Sequence, residues 1–278
     1  MWKKRKPAIQ IKSRDELAVM REAGLVVGRT LQRLTEAVRP GITTADLDAI
    51  AEESIRSQGA TPSFKGYHGF PASICTSINE EIVHGIPSPG KVLHEGDIIS
   101  IDCGAIFDGW HGDSAVTVPV GEITPELRRL IEVCEESMWR GIGAGVAEGR
   151  LSDIGNAVET YVRAEGDYGI VEEYVGHGIG TEMHMDPPVP NYGEAGYGPS
   201  LVPGMCFAVE PMINLGTAAT LLLDDEWTVI TDDRRSSAHF EHTFAVTEDG
   251  PWVLTALDGG AAHGYRSRDE RIKDGAQS

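Results

Sequence analysis

Long apolar runs are missing from this 278-residue chain. None approaches the ~18 residues that a membrane-spanning helix requires, so no transmembrane helix is expected. Positive charge is scarce: 24 Lys and Arg stand against 43 Asp and Glu, a net charge of −19. Following a phosphate backbone takes a dominant basic face, so nucleic-acid reading is excluded as a main function. Cysteine is sparse, and Cys75, Cys103, Cys134 and Cys206 lie far apart with no Cys-x-x-Cys pair. This disfavours zinc fingers and disulfide frameworks, and reduced thiols in the cytoplasm are expected. Lys3, Lys4, Arg5 and Lys6 are basic, but no apolar segment follows them, so a secretory leader is not expected. A Walker A loop, a Gly-x-Ser-x-Gly elbow and a His-Glu-x-x-His helix are also absent. Gly141-Ile142-Gly143-Ala144-Gly145 does not follow a strand, as a dinucleotide-binding loop would.

What is present points to a folded enzyme-sized unit. Hydrophobic residues make up 41% of the chain, enough for a sizeable core. The 33 glycines follow no Gly-x-y period and imply many turns and close backbone approaches. Ser13-Arg14-Asp15-Glu16 has the pattern of a capping box and predicts a helix ending before Pro40-Gly41. A second helix is expected from Thr44 to Gly59. Thr124-Pro125-Glu126 gives an N-cap, a proline at the first helical position and an acidic first turn. The helix it opens fades across 141–149. A fourth runs from Ser152 to about Glu165, and strands fill 170–260.

This order, two helices then strands, occurs twice, and the sequence carries traces of duplication. Gly96-Asp97-Ile98-Ile99-Ser100-Ile101-Asp102 resembles Gly204-Met205-Cys206-Phe207-Ala208-Val209-Glu210 at a spacing of 108 residues. Gly41 and Gly149, each before a helix, have the same spacing. Asp113-Ser114-Ala115-Val116-Thr117-Val118 matches Glu241-His242-Thr243-Phe244-Ala245-Val246 at 128, which implies a 20-residue insertion in the second half. An acid thus falls on an acid twice.

Asp108-Gly109 is a two-residue hairpin signal between strands at 97–107 and 110–120. The turn pairs Phe107 with Trp110 and Gly104 with Asp113, which sets Asp102 on the same face as Asp113, one diagonal step away. Gly104 leaves the space opposite Asp113 open. Two inward carboxylates repel each other and are costly to bury. If Glu210 and Glu241 repeat the arrangement, four carboxylates meet, and their charge suits two divalent ions such as Mn, Fe(II), Co or Zn. Among the histidines, His84, His177 and His184 lie in Gly- and Pro-rich loops suited to an active-site rim. His111 and His242 should point to the opposite face from their acidic neighbours. His94, His239 and His263 are read as surface or hydrogen-bonded core residues, and His68 is not assigned.

The motifs His84-Gly85-Ile86-Pro87, Ile101-Asp102, His111-Gly112-Asp113, Gly176-His177-Gly178-Ile179-Gly180, Val209-Glu210-Pro211-Met212 and Phe240-Glu241-His242-Thr243 resemble those of type I methionine aminopeptidases. The resemblance covers about residues 8 to 255 and is to the short bacterial form. It implies the α/β pita-bread (creatinase/aminopeptidase) fold, two pseudo-symmetric halves around a dinuclear metal site. The halves would span about 13–121 and 122–256, after a basic arm at 1–12 and before a flexible tail at 257–278. It further implies that Asp102, Asp113, His177, Glu210 and Glu241 hold two divalent ions (Co, Mn, Fe(II), Zn or Ni), with Asp113 and Glu241 bridging. A water activated by both ions would attack the first peptide bond. Glu210 would shuttle the proton, His184 would bind the scissile carbonyl, and His84 would contact the scissile amide. Tyr67, Cys75 and Trp227 match the methionine pocket, while Phe64, Phe70 and Met183 depart from the common bacterial residues there. Substrates would be nascent chains beginning with Met, with a small second residue, processed by a cytoplasmic monomer. The run Lys3–Lys6 suggests a weak ribosome contact. Two alternatives remain on the same fold: a prolidase or aminopeptidase P, and a non-enzymatic binding protein.

Overall fold

The computed structural model describes residues 9–265. In chain order its elements are α1 (Arg14–Ala37), α2 (Thr44–Ser57), β1 (Thr61–Pro62), β2 (Ile74–Ile78), β3 (Glu81–Val83), β4 (Ile98–Phe107) and β5 (Trp110–Pro119). Then come α3 (Pro125–Ala144), α4 (Leu151–Glu165), β6 (Gly169–Ile170), β7 (Gly176–Gly178), β8 (Met185–Val189), β9 (Cys206–Val209) and β10 (Met212–Asn214). The last are β11 (Thr220–Leu222), β12 (Val229–Thr231), β13 (Ser237–His239), β14 (Glu241–Thr247) and β15 (Gly250–Val253).

Local signals start the helices where the sequence predicts. Ser13 caps α1 in a reciprocal box with Glu16, Thr43 does the same for α2 with Asp46, and Thr124 caps α3 ahead of Pro125. Each helix buries one stripe. Leu17, Met20, Val27, Leu31 and Leu34 of α1 turn inward, as do Leu130, Val133, Met138 and Ile142 of α3.

These stripes cover a nine-stranded antiparallel sheet with the path β1-β4-β5-β14-β9-β7-β8, to which β2 adds beside β4 and β15 beside β14. In this sheet β5 and β14 form the seam, and these two strands pair over two positions, Glu241 with Ala115 and His242 with Ser114. One core gathers α1 and α2 around Ile99, Ile101 and Val118. Another gathers α3 and α4 around Phe207, Phe244 and Val209. The implied insertion at 211–240 is occupied by β10–β13. β10 and β13 join β6 in one small sheet, and β11 and β12 join β3 in another.

The chain ends differ in part from the sequence reading. Lys3–Lys6 lie outside the described residues. The end of the arm is fixed: buried Lys12 donates to the Ile179 carbonyl at 2.6 Å, and Gln10 Nε2 to Thr181 Oγ1 at 3.1 Å. The expected tail from 257 begins as folded structure. Buried Arg21 of α1 donates to the carbonyls of Leu254, Ala256 and Leu257, His263 stacks on Trp139, and Tyr265 Oη donates to the Trp139 carbonyl at 2.7 Å. Residues 266–278 lie outside the described residues. No described helix is long and apolar enough to cross a membrane.

Candidate metal centre

The β4–β5 hairpin turns at Asp108 and Gly109, whose φ angles of 47° and 78° are those the Asp-Gly signal provides for. Its register places Gly104 opposite Asp113 and Asp102 opposite Ala115. Pairing then extends the row across strands: Cys75 opposes Asp102, Asp102 opposes Ala115, and Ala115 opposes Glu241. Directly opposed residues share a face, so the small Ala115 separates an acid from each half. Asp113 follows on the same face. Thr243 secures it by donating to the Asp113 carbonyl at 2.8 Å and accepting from its N–H at 3.1 Å. β7 brings in His177, opposite Ala208 of β9, and Glu210 follows directly after β9.

Ligand-type atoms of Asp113, His177 and Glu241 all lie within 4.8 Å of one another. His177 Nε2 is 3.5 Å from Glu210 Oε1 and 3.9 Å from Asp113 Oδ2. His177 Nδ1 bonds the Gly178 carbonyl at 2.9 Å, which turns Nε2 inward. Asp102 and Asp113 share a hydrogen bond between their carboxyls. Burial pushes the Asp102 carboxyl up to about 7. Burial, then the neighbouring carboxylates, holds Asp113, Glu210 and Glu241 well above the usual carboxylate range. Burial and the charge of His184 lower His177 to about 3.

Among the described residues, no Lys or Arg lines this cluster. Asp102 Oδ1, Asp113 Oδ1 and Glu241 Oε1 are buried without a hydrogen-bond partner. Three orphaned carboxylate oxygens beside one inward imidazole are costly alone and become complementary to a divalent cation. The donor set therefore fits a metal: hard oxygens, one borderline nitrogen, no thiolate.

The cluster forms the floor of a cavity of about 360 Å³. All of the candidate residues but Met183 line it, with His68 at its mouth. Phe64, Phe70, Cys75, Tyr67 and Trp227 form an apolar wall, and Phe70 and Trp227 meet edge to face. Met183 packs behind that wall. The space left by Gly104 is filled rather than open: a Cβ there would lie 2.7 Å from Met183 Cε and 2.8 Å from Phe64 Cε1. At the rim, Tyr67 Oη is 2.9 Å from His184 Nδ1. His84 has a left-handed backbone (φ 60°), and burial lowers its imidazole to about 4. Its loop is held by Ser77 Oγ, which accepts from the Gly85 N–H at 3.2 Å.

His242, next to Glu241, faces away as alternation predicts, toward Ser114 and Thr255. His111 does not follow the expectation: it is two residues from Asp113 on β5, which sets it on Asp113's face, and its Nδ1 is 3.0 Å from Ser63 Oγ. His239 differs from its assignment as an ordinary surface or core residue. It is buried, its Nε2 has no hydrogen-bond partner, and that atom is 3.9 Å from Glu210 Oε2. Asn191, unremarked in the sequence, donates to the Glu210 carbonyl at 3.1 Å. The alternation of β13 toward a functional neighbour was the available signal for His239. For Asn191 there was none, because its loop is irregular.

Comparison with known proteins agrees with this geometry. The family model for metallopeptidase family M24 matches residues 18–248. The chain belongs to that metallopeptidase family, and its fold is the pita-bread fold. More particularly, it is 54% identical over 250 residues to the methionine aminopeptidase of Clostridium acetobutylicum, covering 90% of this chain and 100% of that protein. It is 52% identical to methionine aminopeptidase 1 of Mycobacterium tuberculosis, covering 88% and 94%. The crystal structure of methionine aminopeptidase from Rickettsia prowazekii superposes with a TM-score of 0.87 at 42% identity, covering 89% of this chain and 100% of that one. Prolidase from Pyrococcus furiosus shares the fold at a TM-score of 0.71 and 23% identity, and the match spans 65% of that longer chain.

Proposed function

We propose that this chain is a metalloaminopeptidase that removes the N-terminal methionine from nascent proteins and peptides. The observation that carries it is one cavity with two unlike surfaces: an acidic floor with orphaned oxygens and an apolar, aromatic and sulfur-bearing wall. The wall suits a flexible thioether side chain. The floor suits the free amine beside it. The high identity to relatives named methionine aminopeptidase supports the same reading.

In this scheme Asp113 and Glu241 would help hold both of two divalent ions, Asp102 would help hold one of them, and His177 with Glu210 the other. Bound divalent ions would supply Lewis-acid activation of a water and of the scissile carbonyl near neutral pH. Glu210 would take and return a proton at its carboxylate. His184, held through Nδ1 by Tyr67, would present its other nitrogen to the carbonyl oxygen as negative charge develops. His84 would contact the scissile amide. The cavity wall would exclude water from the methionine side chain and fix the peptide for attack. A prolidase-like activity is the second reading on this fold. The prolidase neighbour has lower identity and a longer chain.

Co, Mn, Fe(II) or Zn would serve as the ion, the enzyme would act as a cytoplasmic monomer, and a small second residue would be preferred. The Lys3–Lys6 run would touch the anionic ribosome weakly. Turnover of Met-Ala-Ser against an X-Pro dipeptide with added Mn, Fe(II) or Co tests the function, and absence of Met release would sink it. Deleting residues 1–6 should weaken ribosome co-sedimentation, and unchanged sedimentation would remove the tether.

A further inference from the structure

Glu210 stands between two imidazoles. Its Oε1 faces His177 Nε2 at 3.5 Å and its Oε2 faces His239 Nε2 at 3.9 Å. His177 belongs to the metal-type cluster, but His239 does not. Nothing in the chemistry assigned so far uses His239, yet its placement is closely determined. Its backbone is fixed on both sides by Thr117, whose Oγ1 accepts from the His239 N–H at 2.9 Å and donates to its carbonyl at 2.9 Å. β13 pairs it with Met212 of β10, two residues beyond Glu210. The ring is buried, and Nε2 is left without a partner. A buried ring nitrogen left in this way is expected to have a use. The gap to Oε2 is about 1 Å longer than a hydrogen bond, so a small shift of the carboxylate closes it.

We propose that His239 is a positioning residue whose Nε2–H holds Glu210 Oε2 and thereby fixes the direction in which Oε1 faces the metal centre and the substrate. This rests on the metalloaminopeptidase reading of the cavity. A monodentate carboxylate presents one oxygen to a cation and leaves the other to be oriented by the protein, and partners of that kind set ligand direction. Asn191 secures the same residue from the backbone side, through the Glu210 carbonyl. Backbone and side chain of Glu210 are then both held, as pre-organised metal ligands require.

The test uses the full chain as wild type, His239→Leu and His239→Gln, stripped with chelator and titrated with Mn²⁺ by calorimetry. Met release from Met-Ala-Ser is measured at saturating Mn²⁺. Loss of the donor in His239→Leu should weaken Mn²⁺ binding about tenfold or more and lower kcat about tenfold, with KM within about twofold. His239→Gln keeps an N–H donor and should recover both quantities to within about threefold of wild type. Leu and wild-type values within about twofold of each other would overturn the proposal, and so would a Gln variant as impaired as Leu. If His239→Leu does not fold, His239→Asn, polar but too short to reach Oε2, takes its place with the same two outcomes. A wild-type chain that binds Mn²⁺ but releases no Met would reject the functional reading alone. The Mn²⁺ affinities of the variants would then still decide the role of His239.

Discussion

The Tyr67 hydroxyl and His184 Nδ1 are hydrogen-bonded at 2.9 Å across 117 residues of sequence. The bond ties the rim of the apolar wall to an imidazole that packs against His177, with ring centroids of His177 and His184 4.4 Å apart. It leaves His184 Nε2 as the nitrogen for a substrate carbonyl. Tyr67→Phe should therefore lower kcat five- to tenfold, the worth of about 1 kcal/mol for one hydrogen bond, with KM nearly unchanged. Steady-state kinetics on Met-Ala-Ser checks this. A rise in KM alone would instead make Tyr67 a pocket residue only.

Asp113 separates metal binding from stability. It is buried among carboxylates, and its Oδ1 has no partner. Asp113→Asn removes one of these like charges and keeps the shape. Met release and Mn²⁺ affinity should fall by more than about 100-fold, beyond the 10–100-fold typical of outer-shell changes. The metal-free protein should gain about 1 kcal/mol at pH 8, seen as a rise in Tm of about 2–4 °C. Calorimetry and thermal unfolding in chelator check the two halves of the expectation. A lowered metal-free Tm would count against it.

The pH dependence of the metal-free protein follows from the raised carboxyls. Asp102 moves from an ordinary 3.8 up to about 7, so the folded state holds its proton more tightly than the unfolded chain. That contribution is complete below pH 3.8 and is lost as pH rises through about 7. Metal binding displaces protons and is favoured in the same direction. The Tm difference between Mn²⁺-loaded and chelator-treated protein should therefore widen steadily from pH 5.5 to 8. A difference that stays flat or narrows would show that these carboxyls do not receive the ion.

Gly104 tests the pocket wall. A methyl group there meets Met183 Cε at 2.7 Å and Phe64 Cε1 at 2.8 Å, and the Phe64 side chain lines the cavity. Gly104→Ala should push both side chains inward and raise KM about tenfold, near 1.4 kcal/mol and within the usual range for overpacking. Mn²⁺ affinity should stay within a few-fold. An unchanged KM would show that the wall yields elsewhere.

The sequence carried those parts of the fold that local chemistry writes down. A capping box at Ser13 and an N-cap at Thr124 ahead of Pro125 marked helix starts, and Asp108-Gly109 fixed a hairpin register that then dictated the relation of Asp102 to Asp113. The acid-on-acid repeats led to Glu210 and Glu241. What was not legible depends on packing between distant segments. His239 reaches Glu210 only because β13 lies beside β10. The filling of the Gly104 space by Met183 depends on where a Gly-rich loop returns. The folding of residues 257–265 depends on a buried Arg21 gathering carbonyls more than 230 positions away. No periodicity records such contacts.

The short seam between β5 and β14 has a consequence for how such a site could arise. Asp102 and Asp113 stand on one side of it, and Glu210 and Glu241 on the other. Neither half owns the cavity floor. A chain encoding one half would possess two acids and an open strand edge, and it could complete a four-acid floor only by docking that edge on a second copy of itself. The acidic floor is thus a property of the seam itself, present only where the two sides are brought together.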